Sequence, residues 1–168
     1  SLVLQTWARQ LDRAARSGTA ALGLVAPCSI LHELRLRKSE EELALLRQAA
    51  RISAEAHELA RQVARPGLNE RQVQAVIEQH FLEQGARGTA YGSIVAGGDN
   101  ACVLHYTANN AVLRDGDLLL IDAGGEYRGY TADITRTFPV NGKYSGAQKA
   151  VYDVVLAAQL AAIEQLRV

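Results

Sequence analysis

The chain has 168 residues, enough for one domain or for one domain and part of another. Hydrophobic residues make up 48% and charged residues 21%, a globular composition that excludes a disordered chain. Lys+Arg and Asp+Glu both number 18, which removes the basic footprint of a nucleic-acid binder and any charge-driven attraction to a membrane surface.

Leu2 to Arg16 reads as a short helix, with Val3, Trp7, Leu11 and Ala14/Ala15 on one stripe and Arg9, Arg13 and Arg16 opposite. Ser17-Gly18 ends it, and Thr19–His32 reads as an apolar connector. Glu33–Lys38 alternates leucine with arginine, which predicts a short extended lead-in. Ser39 and Glu42 form a capping box. Leu45, Ala49, Ile52, Ala56, Leu59 and Val63 then recur at helical spacing until Arg65-Pro66-Gly67 stops the helix. Asn69 caps a second helix, with Leu68 and Val73 as a hydrophobic staple and Val73, Val76, Ile77 and Phe81 as its buried face. Between Ala90 and Val140 the period becomes two. Ser93–Ala96, Cys102–Tyr106, Leu118–Glu126 and Tyr130–Phe138 are the expected strands, joined by short turns into an antiparallel sheet. A last helix, Ser145 to Leu166, is apolar around much of its circumference, which predicts deep burial. Helices, then a meander, then a helix give an α+β fold.

The chemistry concentrates in Leu118–Phe138. If the two strands there turn at Tyr127-Arg128, Ile121 faces Ile134, Ala123 faces Ala132, and Asp122 faces Asp133. Leu119, Ile121 and Ile134 then form the core side, and Asp122, Asp133 and Thr135 the other. Carboxylates opposed across a hairpin have Cβ atoms about 4.5–5.5 Å apart. Such a pair shares a proton, binds a hard cation, or simply faces solvent. Cys102 and His105 lack a second ligand pair for zinc. No nucleophile elbow or phosphate-binding loop is present, and a solvated or capping role is the default for His57 and His80 on their helices.

The wording around the carboxylates is more specific. Ile121 to Ser145, IDAGGEYRGYTADITRTFPVNGKYS, resembles the metal-binding region of Xaa-Pro aminopeptidases, the aminopeptidase P branch of the dinuclear pita-bread metallopeptidases. Ser93-Ile94-Val95-Ala96, Leu104-His105-Tyr106-Thr107, the helix from His32 to Ile52 and Arg65-Pro66-Gly67 extend the resemblance. It implies that residues 33–168 are the first half of a pita-bread catalytic domain, an antiparallel sheet packed with helices. Residues 1–32 would then be the remnant of an amino-terminal domain plus linker. It further implies that Asp122 chelates one divalent metal and Asp133 bridges two, usually Mn(II), and that His105 lines the substrate cleft. The reaction implied is removal of the residue preceding proline from peptides, by water that two metals activate. Prolidase is the nearest competitor, and a non-catalytic pita-bread-like interaction module the reading from another class.

The family's remaining ligands, one histidine and two glutamates, belong to a second half of the domain, and no histidine follows His105. The expectation is a fragment inactive alone, partnered by the missing half or by a second copy in a homo-oligomer. The absence of methionine fits either a trimmed start or an excised piece. Two lone cysteines, Cys28 and Cys102, and no apolar run near the roughly 20 residues of a membrane span suggest a cytoplasmic setting.

Overall fold

The computed structural model describes residues 27–166 and, before them, Gln5, Thr6, Arg9, Gln10, Asp12, Arg13 and Arg16, all of which are helical. The expected stripe of Val3, Trp7, Leu11 and Ala14/Ala15, the Ser17-Gly18 stop and residues 19–26 of the expected connector Thr19–His32 lie outside the described residues, while the end of that connector, from Cys28, is corrected to helix. The chain divides into two units, Ser1–Lys38 and Ser39–Val168. In the first, α1 (Cys28–Leu36) starts at Pro27 with φ −70°, a geometry that proline presets for a helix start. The expected extended lead-in from Glu33 is therefore corrected to helix. Ile30, Leu31 and Leu34 recur at helical spacing, and the leucine–arginine alternation was too short a window to outweigh it. Only at Arg37 does the backbone become extended.

The second unit begins with α2 (Glu40–Val63), whose capping box closes as expected: Ser39 Oγ accepts the Glu42 N–H, and Glu42 accepts the Ser39 N–H. Its buried face, however, is Ala49, Ile52, Ser53, Ala56, His57 and Ala60, with Leu45, Leu59 and Val63 only half-buried. Two polar residues thus sit inside the stripe. The second helix, α3 (Glu70–Glu83), is capped by Asn69 with Gln72 and buries Val73, Ile77 and Phe81. It also buries Glu70 completely.

Two antiparallel sheets follow. β1 (Gly88–Thr89), β4 (Gly125–Tyr127) and β5 (Tyr130–Thr131) form one, with β4 central. β2 (Ile94–Gly97), β3 (Leu118–Ala123) and β6 (Ile134–Pro139) form the other, with β3 central. Along β3, Leu119, Ile121 and Ala123 are buried and alternate with half-buried neighbours, so the expected core face is correct. These residues join Ile52, Ala56 and Ala60 of α2 and Val73, Ile77 and Phe81 of α3 in one hydrophobic core.

The strand Cys102–Tyr106 does not exist. A 3-10 turn, Gly98–Cys102, leads into an irregular loop in which His105 has φ 55° and Asn109 φ 45°. Positive φ is incompatible with a ladder, and Val103 and Leu104 are exposed. The hairpin register also differs. Asp122 pairs with Thr135 and Ala123 with Ile134, because the turn is Arg128-Gly129, flanked by the pair Tyr127 and Tyr130. Both turn residues have positive φ, 51° and 86°, as a two-residue type I′ turn demands, and Gly supplies the second without steric cost. The displacement is two residues, so each side chain keeps its face.

The last helix, α4 (Gly146–Glu164), is capped by Ser145 and Gln148, but none of its residues is buried. Deep burial is corrected to exposure: Val151, Val154, Val155, Leu160 and Ile163 remain open, since no layer among the described residues covers them. No described helix is long and apolar enough to cross a membrane.

Between β3 and β4 lies Gly124, where a Cβ would meet the Ala132 carbonyl oxygen at 1.7 Å. Backbone cannot yield as a side-chain tip would. Gly124→Ala is expected to destabilise the chain by about 3 kcal/mol or more, at or above the upper end of overpacking, as a lowered midpoint in urea unfolding. An unchanged midpoint would show that this close approach is not obligatory.

Candidate metal centre

Asp122 lies on β3, on the face away from the core, and is half-buried. Asp133 occupies the gap between β5 and β6 and is exposed. In the observed register they are diagonal neighbours, since Asp122 is opposite Thr135. Such positions lie roughly 7–8 Å apart by Cα, still within reach of one another's side chains.

Tyr91, just ahead of β2, joins them. Its hydroxyl lies 2.6 Å from Asp122 Oδ1 and 3.1 Å from Asp133 Oδ1. Burial, then the hydrogen bonds to Asp122 and Asp133 and the charges behind them, push the Tyr91 phenol well above its ordinary pKa. A phenol has one proton to give, so it can donate to only one of the two oxygens at a time. The other carboxylate oxygen faces a phenol oxygen with no proton between them. A cation or an additional proton would relieve that excess of negative charge.

The local backbone is held from behind by α2. Ser53 Oγ accepts the Gly125 N–H at 2.9 Å and donates to the Ala49 carbonyl at 2.8 Å. His57 Nε2 lies 3.0 Å from the Ala123 carbonyl. Facing a carbonyl, that nitrogen donates, and burial above all lowers the pKa of the ring. A solvated or capping role for His57 is therefore corrected: it is buried and grips the strand next to Asp122. His80 is likewise no solvated helix residue, its Nε2 lying 3.4 Å from Glu55.

His105 sits in the exposed loop after the 3-10 turn, on a turn and not on a strand. Among the described residues, no group of three or more His, Cys, Asp or Glu side chains comes together to hold a metal. A cavity of about 670 Å³ lies elsewhere, lined by His57, Arg61, Arg136, Phe138 and Tyr152 among others, and by neither aspartate. Tyr91, Ser53 and Glu70 have no role assigned from the sequence, and His57 has only the solvated or capping one. Ser53 and His57 had a signal, being spaced i, i+4 after Ala49 on the apolar stripe. Tyr91 had none, because an isolated tyrosine before a strand carries no pattern.

The comparisons bear on the same segment. Residues 44–168 match the model of metallopeptidase family M24. The chain is 54% identical over 127 residues to an Xaa-Pro aminopeptidase of Escherichia coli, covering 76% of this chain and 29% of the relative. It is 52% identical over 137 residues to an Xaa-Pro aminopeptidase of Haemophilus influenzae, covering 82% and 32%. Among solved structures, proline aminopeptidase P II from Yersinia pestis superposes with a TM-score of 0.89 at 52% identity, covering 95% of this chain and 37% of that one. A zinc-substituted E. coli aminopeptidase P in complex with product gives 0.92 at 44% identity, covering 99% and 38%. The chain thus spans about a third of the length of the relatives it matches. Its helices and antiparallel sheets are those of one part of the pita-bread fold in these structures. On the match over residues 44–168 and the identities above, this chain belongs to metallopeptidase family M24.

Proposed function

We propose that this chain forms part of an Xaa-Pro aminopeptidase, a hydrolase acting on peptides with proline in second position. In this reading Asp122 and Asp133 hold divalent metal, Mn(II) by preference, and His105 contacts the substrate. Residues 33–168 act as the first half of the catalytic domain, and residues 1–32 as the end of a preceding domain plus linker. A cytoplasmic, oligomeric enzyme is the accompanying proposal. The observation that carries the reading is the convergence of both carboxylates on the Tyr91 hydroxyl.

The donor set fits the metal. Carboxylate oxygens are hard ligands suited to manganese, and the single phenol proton leaves their joint charge uncompensated. A bound divalent ion would acidify water and polarise the scissile carbonyl. The chain's own residues perform the positioning. Tyr91 fixes the carboxylates relative to each other through its hydroxyl. Ser53 and His57 fix the strand segment on which Asp122 stands. Two carboxylates do not make a complete dinuclear site, so the remaining ligands must come from outside this chain. The exposed apolar residues of α4, among them Val151, Val154 and Val155, supply a surface of the kind that marks protein association. We infer that the complementary half of the domain covers it.

Two outcomes test this. Manganese added to the isotopically labelled chain should first broaden the amide resonances around Asp122 and Asp133. Asp122→Asn should abolish that selectivity, and Tyr91→Phe should weaken binding by about 10–100-fold, as loss of a ligand-orienting partner does. Broadening centred elsewhere, or unchanged in Asp122→Asn, would refute the site. Separately, the 168-residue chain should not cleave an Xaa-Pro peptide, with or without manganese. Mixing it with the carboxy-terminal segment of an aminopeptidase P should restore cleavage. Turnover by the chain alone would contradict the reading, and stable self-association without rescue would favour a non-catalytic module.

A further inference from the structure

We infer that Glu70 is the positioning residue for His105, acting through Tyr106. The inference rests on the proposed role of His105 for its catalytic meaning, but its structural basis is independent of that role. The connection from Gly98 to Asp117 carries only one short 3-10 turn of regular structure, and the residues around His105 are exposed: Val103 is 55% and Leu104 84% accessible. Apart from the Arg71 guanidinium, which donates to the Ala108 carbonyl at 3.0 Å, the anchors of this loop lie in its stems. Glu70, on the first turn of α3 and fully buried, receives four hydrogen bonds from the loop and its margin. Oε1 accepts the Gly97 N–H at 2.8 Å and the Asn100 side-chain amide at 3.0 Å. Oε2 accepts the Tyr106 hydroxyl at 2.8 Å and the Ala111 N–H at 2.9 Å. The Glu70 N–H in turn donates to the Ala111 carbonyl at 2.9 Å.

Only an ionised carboxylate can accept four donors in this way. Burial alone would raise its pKa, but the Gly97, Asn100, Ala111 and Tyr106 donors outweigh it and hold Glu70 below the usual carboxylate range. A second buried residue secures the same loop further along. Asn109 accepts the Val95 N–H at 3.0 Å and donates to the Ser93 carbonyl at 2.7 Å and to Gln74 at 2.9 Å. His105 thus lies between an anchored start at Gly97 and Asn100 and an anchored neighbour at Tyr106. Its φ of 55°, unusual for a residue other than glycine, persists only where the surroundings impose it. Tyr106, next in the chain and tied to Glu70, is the nearest such constraint.

The 168-residue chain suffices for the test, with Glu70→Gln and Tyr106→Phe compared by resonance spectroscopy of the His105 imidazole and by hydrogen exchange. Glu70→Gln presents an amide to donors, so exchange at the Gly97 or Ala111 N–H should accelerate about ten-fold, as for one lost buried hydrogen bond. The His105 resonances should shift, while exchange at Leu119 and Ile121 stays as in the parent. Tyr106→Phe removes one hydroxyl, should move His105 as well, and decides the matter if Glu70→Gln fails to fold. A stability loss with His105 unmoved in a folded variant would overturn the inference and leave Glu70 a structural residue. Titration with an Xaa-Pro peptide of the chain mixed with the carboxy-terminal segment of an aminopeptidase P separates the other reading, since an unmoved His105 in a mixture that cleaves the peptide contradicts its substrate role and not the clamp.

Discussion

At Gly124 the backbone of one strand comes so close to the carbonyl of Ala132 that no side chain fits between them. Both arms of the hairpin are interrupted at this contact, β3 giving way to β4 and β5 to β6. The tip of the hairpin pairs within one sheet and its base within another. Asp122 stands two residues before the contact on one arm, and Asp133 one residue beyond it on the other. The arrangement of the carboxylates is therefore a property of the strand break, and the diagonal pair needs a third group to bring it together. Tyr91 is that group.

The break is stabilised from the helix layer. Interrupting a ladder leaves backbone groups that need partners, and α2 provides two of them from within its apolar face. Ser53 takes the Gly125 N–H and His57 the Ala123 carbonyl, one on each side of Gly124. Hydrophobic burial of Ile52 and Ala56 against β3 and α3 holds α2 in place, and the two polar residues turn that packing into register. The α2 face therefore serves both stability and the site, which explains why serine and histidine occupy positions where a simple core would take alanine or leucine.

Much of this was legible from the residues alone. The capping box at Ser39, the N-cap at Asn69 and the alternation along β3 are local signals, and each is realised. The faces of the hairpin survived a wrong turn assignment because an error of two residues preserves parity. What was not legible depends on non-local contacts. The apolar run at Cys102–Tyr106 looked like a strand, yet it is a loop held by a carboxylate some 30 residues upstream. Glu70 itself reads as an ordinary acidic residue favoured at a helix start. Tyr91 gains its meaning only when β2 and β3 lie side by side. The apolar circumference of α4 predicts burial, but apolarity reports only that a surface needs covering and not which chain covers it.

The central claim is that the Gly124 break and Tyr91 hold Asp122 and Asp133 as one metal-binding pair. Crystals of the chain grown with manganese, measured at a wavelength where the metal scatters anomalously, test it most directly. The account predicts an anomalous peak between the two carboxylates, with Asp122 opposite Thr135 and the Tyr91 hydroxyl beside the pair. A structure in which Asp122 instead faces Asp133 across a regular ladder, or in which manganese settles away from both residues, would contradict it.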